Sequence, residues 1–291
     1  LTTRLFQEWE APDASDLYAD PANHAIKNPF LLPLIHLGTE IKLQFMGSNI
    51  KASVVYFTQS NQNERQYKLF YHDYFNAFVR ASVGQMQSIH HGFETYIETN
   101  WTSPVQFNIG NSYGWYTITN DPLYEIRLAN NVYKVQSGRL LLKNFPATSH
   151  PQSVQAFTIN YQPNYSLRIS YTTLYASRRA ISHDLFRRSD WVKDNLPTSD
   201  QWEALYAPVW APNQWVSNLF ISKNFQMVTQ NSKINLRLTS SIRNLLNASI
   251  PSLIFEQSRY DYKNFSLQKF PPKYIYDLGR TYTIGLQVSM L

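Results

Sequence analysis

Apolar and polar side chains alternate at every second position over the last part of the chain. A period of two indicates a β-strand with two different faces. The same alternation occurs in the stretches 35–45, 156–162, 165–171 and 234–243. In each of them one face is apolar and the other is polar and partly charged. In the final stretch the apolar positions are Tyr282, Ile284, Leu286, Val288 and Met290.

The lengths of these runs and of their connections favour a membrane-spanning β-barrel over a soluble β-sandwich. Several alternating runs reach about ten residues, which suits a tilted strand that crosses a bilayer. Short and long connections also follow one another without exception, as in a barrel with tight turns on one side and long loops on the other. We predict an all-β fold, a transmembrane antiparallel β-barrel, with nine strands at roughly 34–46, 49–59, 75–101, 105–119, 152–162, 165–180, 213–229, 232–248 and 274–291.

The direction of the last strand determines where the start of the chain should lie. This strand follows a long connection, and the alternation then places residues 1–30 on the long-loop side. We expect residues 1–30 to form an extracellular loop and residues 31–291 to form the C-terminal part of the transmembrane barrel. The long run 75–101 could also be two strands joined near residues 84–88, but the alternation of connections holds only if it is one kinked or bulged strand.

The number of strands indicates that the barrel is larger than this chain. Single-chain barrels of the bacterial outer membrane have even numbers of strands and must close, because an open edge in lipid leaves backbone groups unpaired. Nine is an odd number. We therefore expect these residues to form part of a barrel whose other strands come from elsewhere.

Composition limits the chemistry that the chain can perform. Its 291 residues include no cysteine, which excludes disulfides and thiolate nucleophiles. The adjacent pair His90 and His91 points to opposite faces of a strand and cannot bind one metal ion together. We expect a protein that is not an enzyme, without a catalytic site, a metal site or a cofactor. The net charge of +6 indicates either a solvated basic surface or attraction to an anionic lipid or ligand.

Four stretches resemble the TonB-dependent receptors of the outer membrane. "KYIYDLGRTYTIGLQVSM" resembles their closing strand, and "INLRLTSSIRNLLNAS" is similar to their penultimate strand. The long run "FNAFVRASVGQMQSIHHGFETYIETNW" resembles a descending strand of the family, with Gly84, Gly92 and Glu94 at its characteristic positions. "LLLKNFPATSHPQSVQAFTINYQP" followed by "YASRRAISHDLFRRSDWV" resembles the Bacteroidota branch.

The resemblance implies a 22-stranded barrel in the cell outer membrane, filled by a plug domain that this chain does not contain. It implies active transport of a scarce nutrient, driven by the TonB complex acting through the plug. The implied partners are outer-membrane lipid and lipopolysaccharide, the N-terminal plug and barrel part of the same receptor, and, in part of the Bacteroidota branch, a surface lipoprotein. No nucleic-acid partner is implied.

Three groups of residues are candidates for function. Charged residues on polar strand faces are expected to face the lumen, where they hydrate it, hold a plug or contact a substrate: Glu94, Glu98, Arg168, Arg237 and Arg243. In the connection 181–212 the candidates form either a ligand or partner surface, or a folded loop with its own small core beside lipopolysaccharide: Arg187, Arg188, Trp191 and Trp202. In the connection 60–74 they either stack on a ligand such as a sugar or haem, or belong to the aromatic girdle at the membrane interface: Tyr67, Tyr71 and His72. The last strand carries a pattern similar to the family's assembly signal: Thr283, Gly285, Val288 and Met290.

Two other classes of protein are compatible with the alternation. One is a complete small outer-membrane barrel that acts as an enzyme or an adhesin, which requires an even strand count and a site in the outer loops. The other is a soluble β-sandwich that binds ligands through aromatic loops. Dependence on detergent separates this last class from the other two.

Overall fold

The computed structural model describes residues 1–12, 31–102, 104–129, 133–147, 149–228, 233–266 and 268–290. Helices are few: a short 3-10 helix at Leu185–Arg188, α1 at Asp190–Asn195 and α2 at Ser199–Tyr206. None of the helices in these ranges is long and apolar enough to cross a membrane. The strands are β1 (Thr2–Glu10), β2 (Leu34–Met46), β3 (Ile50–His72), β4 (Ala77–Thr102), β5 (Val105–Ile118), β6 (Leu123–Leu128), β7 (Lys134–Arg139), β8 (Pro151–Asn164), β9 (Leu167–Arg179), β10 (Gln214–Val228), β11 (Lys233–Arg243), β12 (Pro251–Phe255), β13 (Lys273–Tyr276) and β14 (Thr281–Met290).

Ten of these strands form one continuous antiparallel sheet, here called the wall. Its order is β1-β2-β3-β4-β5-β8-β9-β10-β11-β14, so that each strand pairs with its neighbour in the chain or with the next wall strand. Short connections join β2 to β3, β4 to β5, β8 to β9 and β10 to β11, and the strand ends that they join lie at one end of the wall. Within the described residues, β1 and β14 are not paired with each other, and the sheet has two edges.

The pairing register gives the wall two chemically different faces. Residues directly opposite each other in an antiparallel pair lie on the same face. Leu238 is opposite Leu286 on β14, and Leu236 lies between Phe225 and Val288. The predicted apolar set therefore shares one face, here called the apolar face, and its side chains are half-buried or exposed, reaching 68% at Leu286. The members of that set are Ile159, Ile169, Leu236, Leu238, Leu286 and Val288.

The packed interior of the protein lies beyond the other end of the wall. The outer halves of β3 and β4 continue past the remaining strands, and β6 pairs with β4 and with β7. We call this region the cap: the described residues of 61–88, 119–147, 180–213 and 244–280. Its main core is formed by buried side chains of β3, β4, β6 and the segments after them: Phe70, Val79, Ala81, Val83, Ile118, Tyr124, Ile126, Leu140, Leu142, Phe145 and Phe186.

The start of the chain corrects one prediction. Thr2–Glu10 form a strand instead of an extracellular loop, and Thr2 is opposite Lys42 near the short-turn end of β2. The strand was missed because its alternation is irregular, with Gln7 on the apolar side and Phe6 on the polar side. Of the predicted loop 1–30, residues 13–30 lie outside the described residues. The wall therefore has ten strands and not nine, so the odd count was wrong, although the sheet is open as expected.

The connection 60–74 is the second correction. Instead of a long loop, β3 runs on to His72 and turns back at 73–76 into β4. The register shifts between Asn61 and Gln66, where Asn63 and Gln85 have positive φ angles of 63° and 59°. Such bulges bend a strand without ending it. The run 75–101 was correctly kept as one bulged strand, β4.

Candidate functional site

All five charged residues predicted for the lumen lie on the polar face of the wall. Glu94 is opposite Ser112, and Arg237 is opposite Asn224 and Gln287. Following the pairs from strand to strand places the five on the same side: Glu94, Glu98, Arg168, Arg237 and Arg243. Their common face is thus established by the register, and their position in a lumen remains a prediction.

A network of polar side chains marks the point where β3 and β4 leave the wall. Asn61 Oδ1 accepts a hydrogen bond from Gln59 Nε2 at 2.7 Å and lies 2.7 Å from His36 Nδ1, while Asn61 Nδ2 donates to Ser88 Oγ at 3.0 Å. Asn61 and Ser88 are buried. Buried polar groups with satisfied hydrogen bonds hold a local geometry in place. The network therefore fixes the angle at which the hairpin rises from the wall into the cap.

The histidines do not form a metal site in the part of the chain that the structure describes. No group of three or more His, Asp or Glu side chains there could hold a metal ion. His90 packs edge-on against Tyr116, whereas His91 stacks on Trp115. Tyr116 and Trp115 are neighbours on β5 and face opposite ways, so His90 and His91 also point to opposite faces, as the sequence predicts.

A buried ion pair lies at the centre of the cap. Arg188 is fully buried and donates to both carboxylate oxygens of Glu256, Nη1 to Oε2 at 2.8 Å and Nη2 to Oε1 at 2.9 Å. Glu256 Oε2 also accepts from the backbone N–H of Asp184 at 2.8 Å, and the Asp184 carboxylate pairs with Lys68 at 2.7 Å. The guanidinium stacks over the ring of Phe145 at 4.5 Å. Together, the Arg188–Glu256 and Lys68–Asp184 pairs join β3, the region of the 3-10 helix and the segment after β12.

Burial and neighbouring charges together set the pKa values of three groups in this cluster. Burial raises the pKa of Glu256, but the hydrogen bonds from Arg188 outweigh it and hold that pKa below its ordinary value. Burial raises the pKa of Asp184 despite the nearby Lys68 ammonium. Burial and the positive charge of Arg188 lower the pKa of His183 to about 4. Neutral His183 accepts a hydrogen bond from the Val209 backbone N–H at Nε2, at 2.9 Å.

Arg187 has a similar structural position. Its Nη2 donates to the backbone carbonyls of Gln257 and Arg259 at 2.6 and 2.7 Å, and its guanidinium lies over the Tyr260 ring at 5.3 Å. Both Arg187 and Arg188 were candidates for an exposed ligand surface. In the structure they are buried, because each satisfies groups from the 249–273 connection. They form the interior of a folded loop, which is the other interpretation that the sequence allowed.

The aromatic candidates divide between interior and surface. His72 is buried and stacks on Tyr262 with ring centroids 4.0 Å apart, and burial lowers the pKa of His72 to about 4. Trp191 and Trp202 are half-buried in the cap, where Trp191 packs edge-on against Tyr74 and Trp202 stacks on Tyr206. Tyr67 and Tyr71 lie on the opposite face of β3 from the core, and Tyr67 is exposed.

A crevice of about 790 Å³ opens beside Tyr71 on the surface of the cap. Tyr71 meets Phe78 edge-on, and Arg259 lies over the Tyr71 ring at 5.4 Å while pairing with Asp73. The other side of the crevice is formed by Phe255 and Lys273. Among the predicted ligand candidates, Tyr71 lines this open crevice.

The residues of the predicted assembly signal divide between the two faces of β14. Thr283 and Gly285 lie on the polar face, opposite Ser241 and Thr239. Val288 and the backbone of Met290 belong to the apolar register, opposite Leu236 and Ile234. The edge of β14 away from β11 has no pairing strand among the described residues. Recognition of this strand by the assembly machinery remains a prediction.

Comparison with known proteins gives the fold. No family model and no curated protein matches the sequence. Solved structures do match: the receptor FpvA of P. aeruginosa with bound pyoverdine (TM-score 0.53, 12% identity, 99% of this chain and 30% of that one), the copper transporter OprC (0.59, 12%, 99% and 37%) and the siderophore receptor PirA of Acinetobacter baumannii (0.53, 13%, 99% and 38%).

At such identities the likeness concerns the fold alone. Almost the whole chain superposes on part of the barrels of these outer-membrane receptors, and it spans about a third of their length. The fold class predicted from the alternation is therefore confirmed. The narrower resemblance to the Bacteroidota branch is not supported by these comparisons.

Proposed function

We propose that this chain is the C-terminal barrel part of a TonB-dependent receptor in the outer membrane, and that it serves the active uptake of a scarce nutrient. The apolar face then contacts lipid, the polar face lines the lumen, and the cap lies outside the cell. Long connections of such barrels are extracellular and tight turns are periplasmic, and the described residues of the long connections 119–150, 180–213 and 244–280 lie at one end of the wall.

The observation that carries the proposal is the height of the apolar face. On β10, Trp215 and Phe225 both belong to this face and lie ten positions apart. At about 3.3 Å per residue they are separated by roughly 33 Å along the strand, or about 23 Å along the membrane normal at a tilt near 45°. The apolar band of a transmembrane barrel is about 25 Å tall and is bounded by aromatic residues at both interfaces. A soluble sandwich would instead cover this face.

The proposal also implies partners. The N-terminal part of the same receptor would supply the plug and the strands that pair with the edges β1 and β14, and the TonB complex would act through that plug. Lipid would surround the apolar face, and lipopolysaccharide or a surface lipoprotein would adjoin the cap. On the rim of the crevice Arg259 pairs with Asp73, and Lys273 adds a positive charge, which supports contact with an anionic outer-leaflet lipid.

The test uses the whole receptor in its native cells. The solved structures that the chain resembles include siderophore receptors and a copper transporter, so growth at limiting iron and at limiting copper is measured first, with and without the receptor gene and with and without TonB. We expect the receptor in the outer-membrane fraction and a growth defect that appears only when TonB is present. Extraction without detergent would indicate the sandwich class, and TonB-independent activity would indicate a barrel enzyme or adhesin.

A further inference from the structure

Carboxylates are distributed unevenly over the wall. The six strands β5, β8, β9, β10, β11 and β14 contain no Asp or Glu, whereas β1 to β4 carry all the acidic residues of the wall strands. Three arginines lie on the polar face of the acid-free part: Arg168, Arg237 and Arg243. Within the described residues no acidic side chain pairs with any of them.

Two of these arginines lie on strands that flank one serine of β10. Ser222 of β10 is directly opposite Arg168 of β9, so both side chains rise from adjacent positions on the polar face. Arg237 comes from β11 on the other side of β10 and donates from Nε to Ser222 Oγ at 3.2 Å. The Arg237 side chain thus reaches β10 at Ser222, the residue with which Arg168 is paired from the other side. Arg243 does not share this arrangement, since it lies six positions further along β11, opposite Thr281.

We propose that Arg168, Ser222 and Arg237 form an anion-binding site on the polar face, and that it holds a carboxylate or phosphate group. The proposal deepens the transport function and rests on it in one respect, that the polar face lines an enclosed lumen. A carboxylate could come from an acidic side chain of the plug, and a carboxylate or phosphate could come from the nutrient. The chemistry recognised is the same in both cases.

The chemistry of the three side chains suits such a group. Two guanidinium groups near each other repel unless an anion lies between them, and each presents paired N–H donors that match the two oxygens of a carboxylate or phosphate. Because Ser222 Oγ accepts from Arg237, its own O–H can donate to the bound group. The neighbouring strands offer no competing carboxylate, so the site depends on an anion from outside the wall.

The experiment uses the purified whole receptor in detergent, with inorganic phosphate as the probe. Phosphate binding is measured by calorimetry against chloride at matched ionic strength, in the native protein, in the double variant R168Q/R237Q and in R243Q. If the site is open, we expect phosphate to bind the native protein and R243Q alike and to bind the double variant at least about tenfold more weakly. Equal binding by all three proteins would mean an adventitious ion only and would overturn the proposal.

The second arm detects a carboxylate of the plug. If the plug already occupies the site, phosphate does not bind the native protein, and R168Q/R237Q releases the plug to added protease at a lower urea concentration than the native protein or R243Q does. Absence of both phosphate binding and plug release refutes the site. The heat-modifiable gel mobility of each variant shows whether the barrel is folded, so loss of the site is distinguished from failure of the barrel itself.

Discussion

Arg188 and Glu256 lie 68 positions apart and form a bidentate ion pair at 2.8 and 2.9 Å inside the cap, where Arg188 has no exposed surface. The pair joins two connections that meet nowhere in the wall. A buried charge is tolerated when its partner and additional hydrogen bonds are present. Glu256 supplies the charge, and the Asp184 carbonyl accepts a further bond from Arg188 Nη1 at 3.1 Å.

Glu256→Gln should therefore destabilise the cap strongly. The change leaves the Arg188 guanidinium buried without a counter-charge, which typically costs about 3–5 kcal/mol. Hydrogen exchange of the backbone amides of 184–189 measures the effect. The matched control is Glu98→Gln, which removes an exposed pair with Lys51 on the wall and should change stability by less than about 1 kcal/mol. If the amides of 184–189 were equally protected from hydrogen exchange in both variants, the buried pair would not be what stabilises the cap.

Cap stability should fall as the pH is lowered below neutrality. His183 and His72 have pKa values of about 4 in the folded cap, and an unfolded histidine has a pKa of about 6.5. Between these values the unfolded state binds protons that the folded state does not, so stability is unaffected above about pH 7 and decreases as the pH falls through 6.5 towards 4. Arg188 and Glu256 face His183, and Asp73 faces His72.

Limited proteolysis of the cap at pH 7.5 and pH 5.0, with an enzyme active at both, measures this dependence. The double variant H183Q/H72F should show a much smaller difference between the two conditions. A glutamine side chain at position 183 can still accept from the Val209 N–H, and a phenyl ring at position 72 can still stack on Tyr262. A variant that keeps the full pH dependence would assign it to other groups.

Two glycines of the wall should respond differently to a methyl group. A Cβ on Gly92 would meet the backbone of the neighbouring strand, the Tyr113 carbonyl oxygen and Gly114 Cα, the latter at 2.8 Å. A Cβ on Gly110 has nothing within 4 Å. We expect Gly92→Ala to cost about 1–3 kcal/mol, since backbone must shift, and Gly110→Ala to stay within about 0.5 kcal/mol. Urea titration of the barrel refolded in lipid compares them, and equal midpoints would contradict the close approach.

Adjacent residues of β8 test which face meets lipid. Ile159 lies on the apolar face and Thr158 on the polar face, opposite Thr172. Arginine at a lipid-facing position near the bilayer middle costs about 2–4 kcal/mol, and arginine in a lumen costs little. Ile159→Arg should therefore lower the urea midpoint in lipid far more than Thr158→Arg. A similar fall of the urea midpoint in both variants would remove the assignment of the faces. A larger fall for Thr158→Arg would reverse it.

The strands of the wall could be predicted from the sequence because the pattern that specifies each strand lies within that strand. Each strand shows its two faces through period-two alternation, and the face of Arg237 or Leu238 follows from parity alone. The alternation did not predict β1, because Gln7 falls on its apolar side and Phe6 on its polar side, and its pairing with β2 is visible only in three dimensions. The continuation of β3 was missed because "NERQYK" reads as a polar loop.

The interior of the cap could not be predicted, because its partners are distant in the chain. Nothing near Glu256 in the sequence indicates that it pairs with Arg188. The sequence "SHDLFRRSD" contained one usable signal: Asp184 before Leu185 is a typical N-cap residue, and in the structure its side chain accepts from the Phe186 N–H. That signal predicts a helical turn, but not the burial of the two arginines within it.

The origin of the cap core has a consequence for biogenesis. Lys68 meets Asp184, Asp73 meets Arg259 and Arg188 meets Glu256, so the cap joins segments up to 186 positions apart. Under the proposed orientation, every one of these segments must be translocated across the bilayer before any of them has a partner. The core then folds on the extracellular side. The folded cap is too large and too highly charged to move back across the bilayer. Formation of the cap core would therefore make insertion irreversible. An inserted strand could return across the bilayer only if the whole core unfolded first.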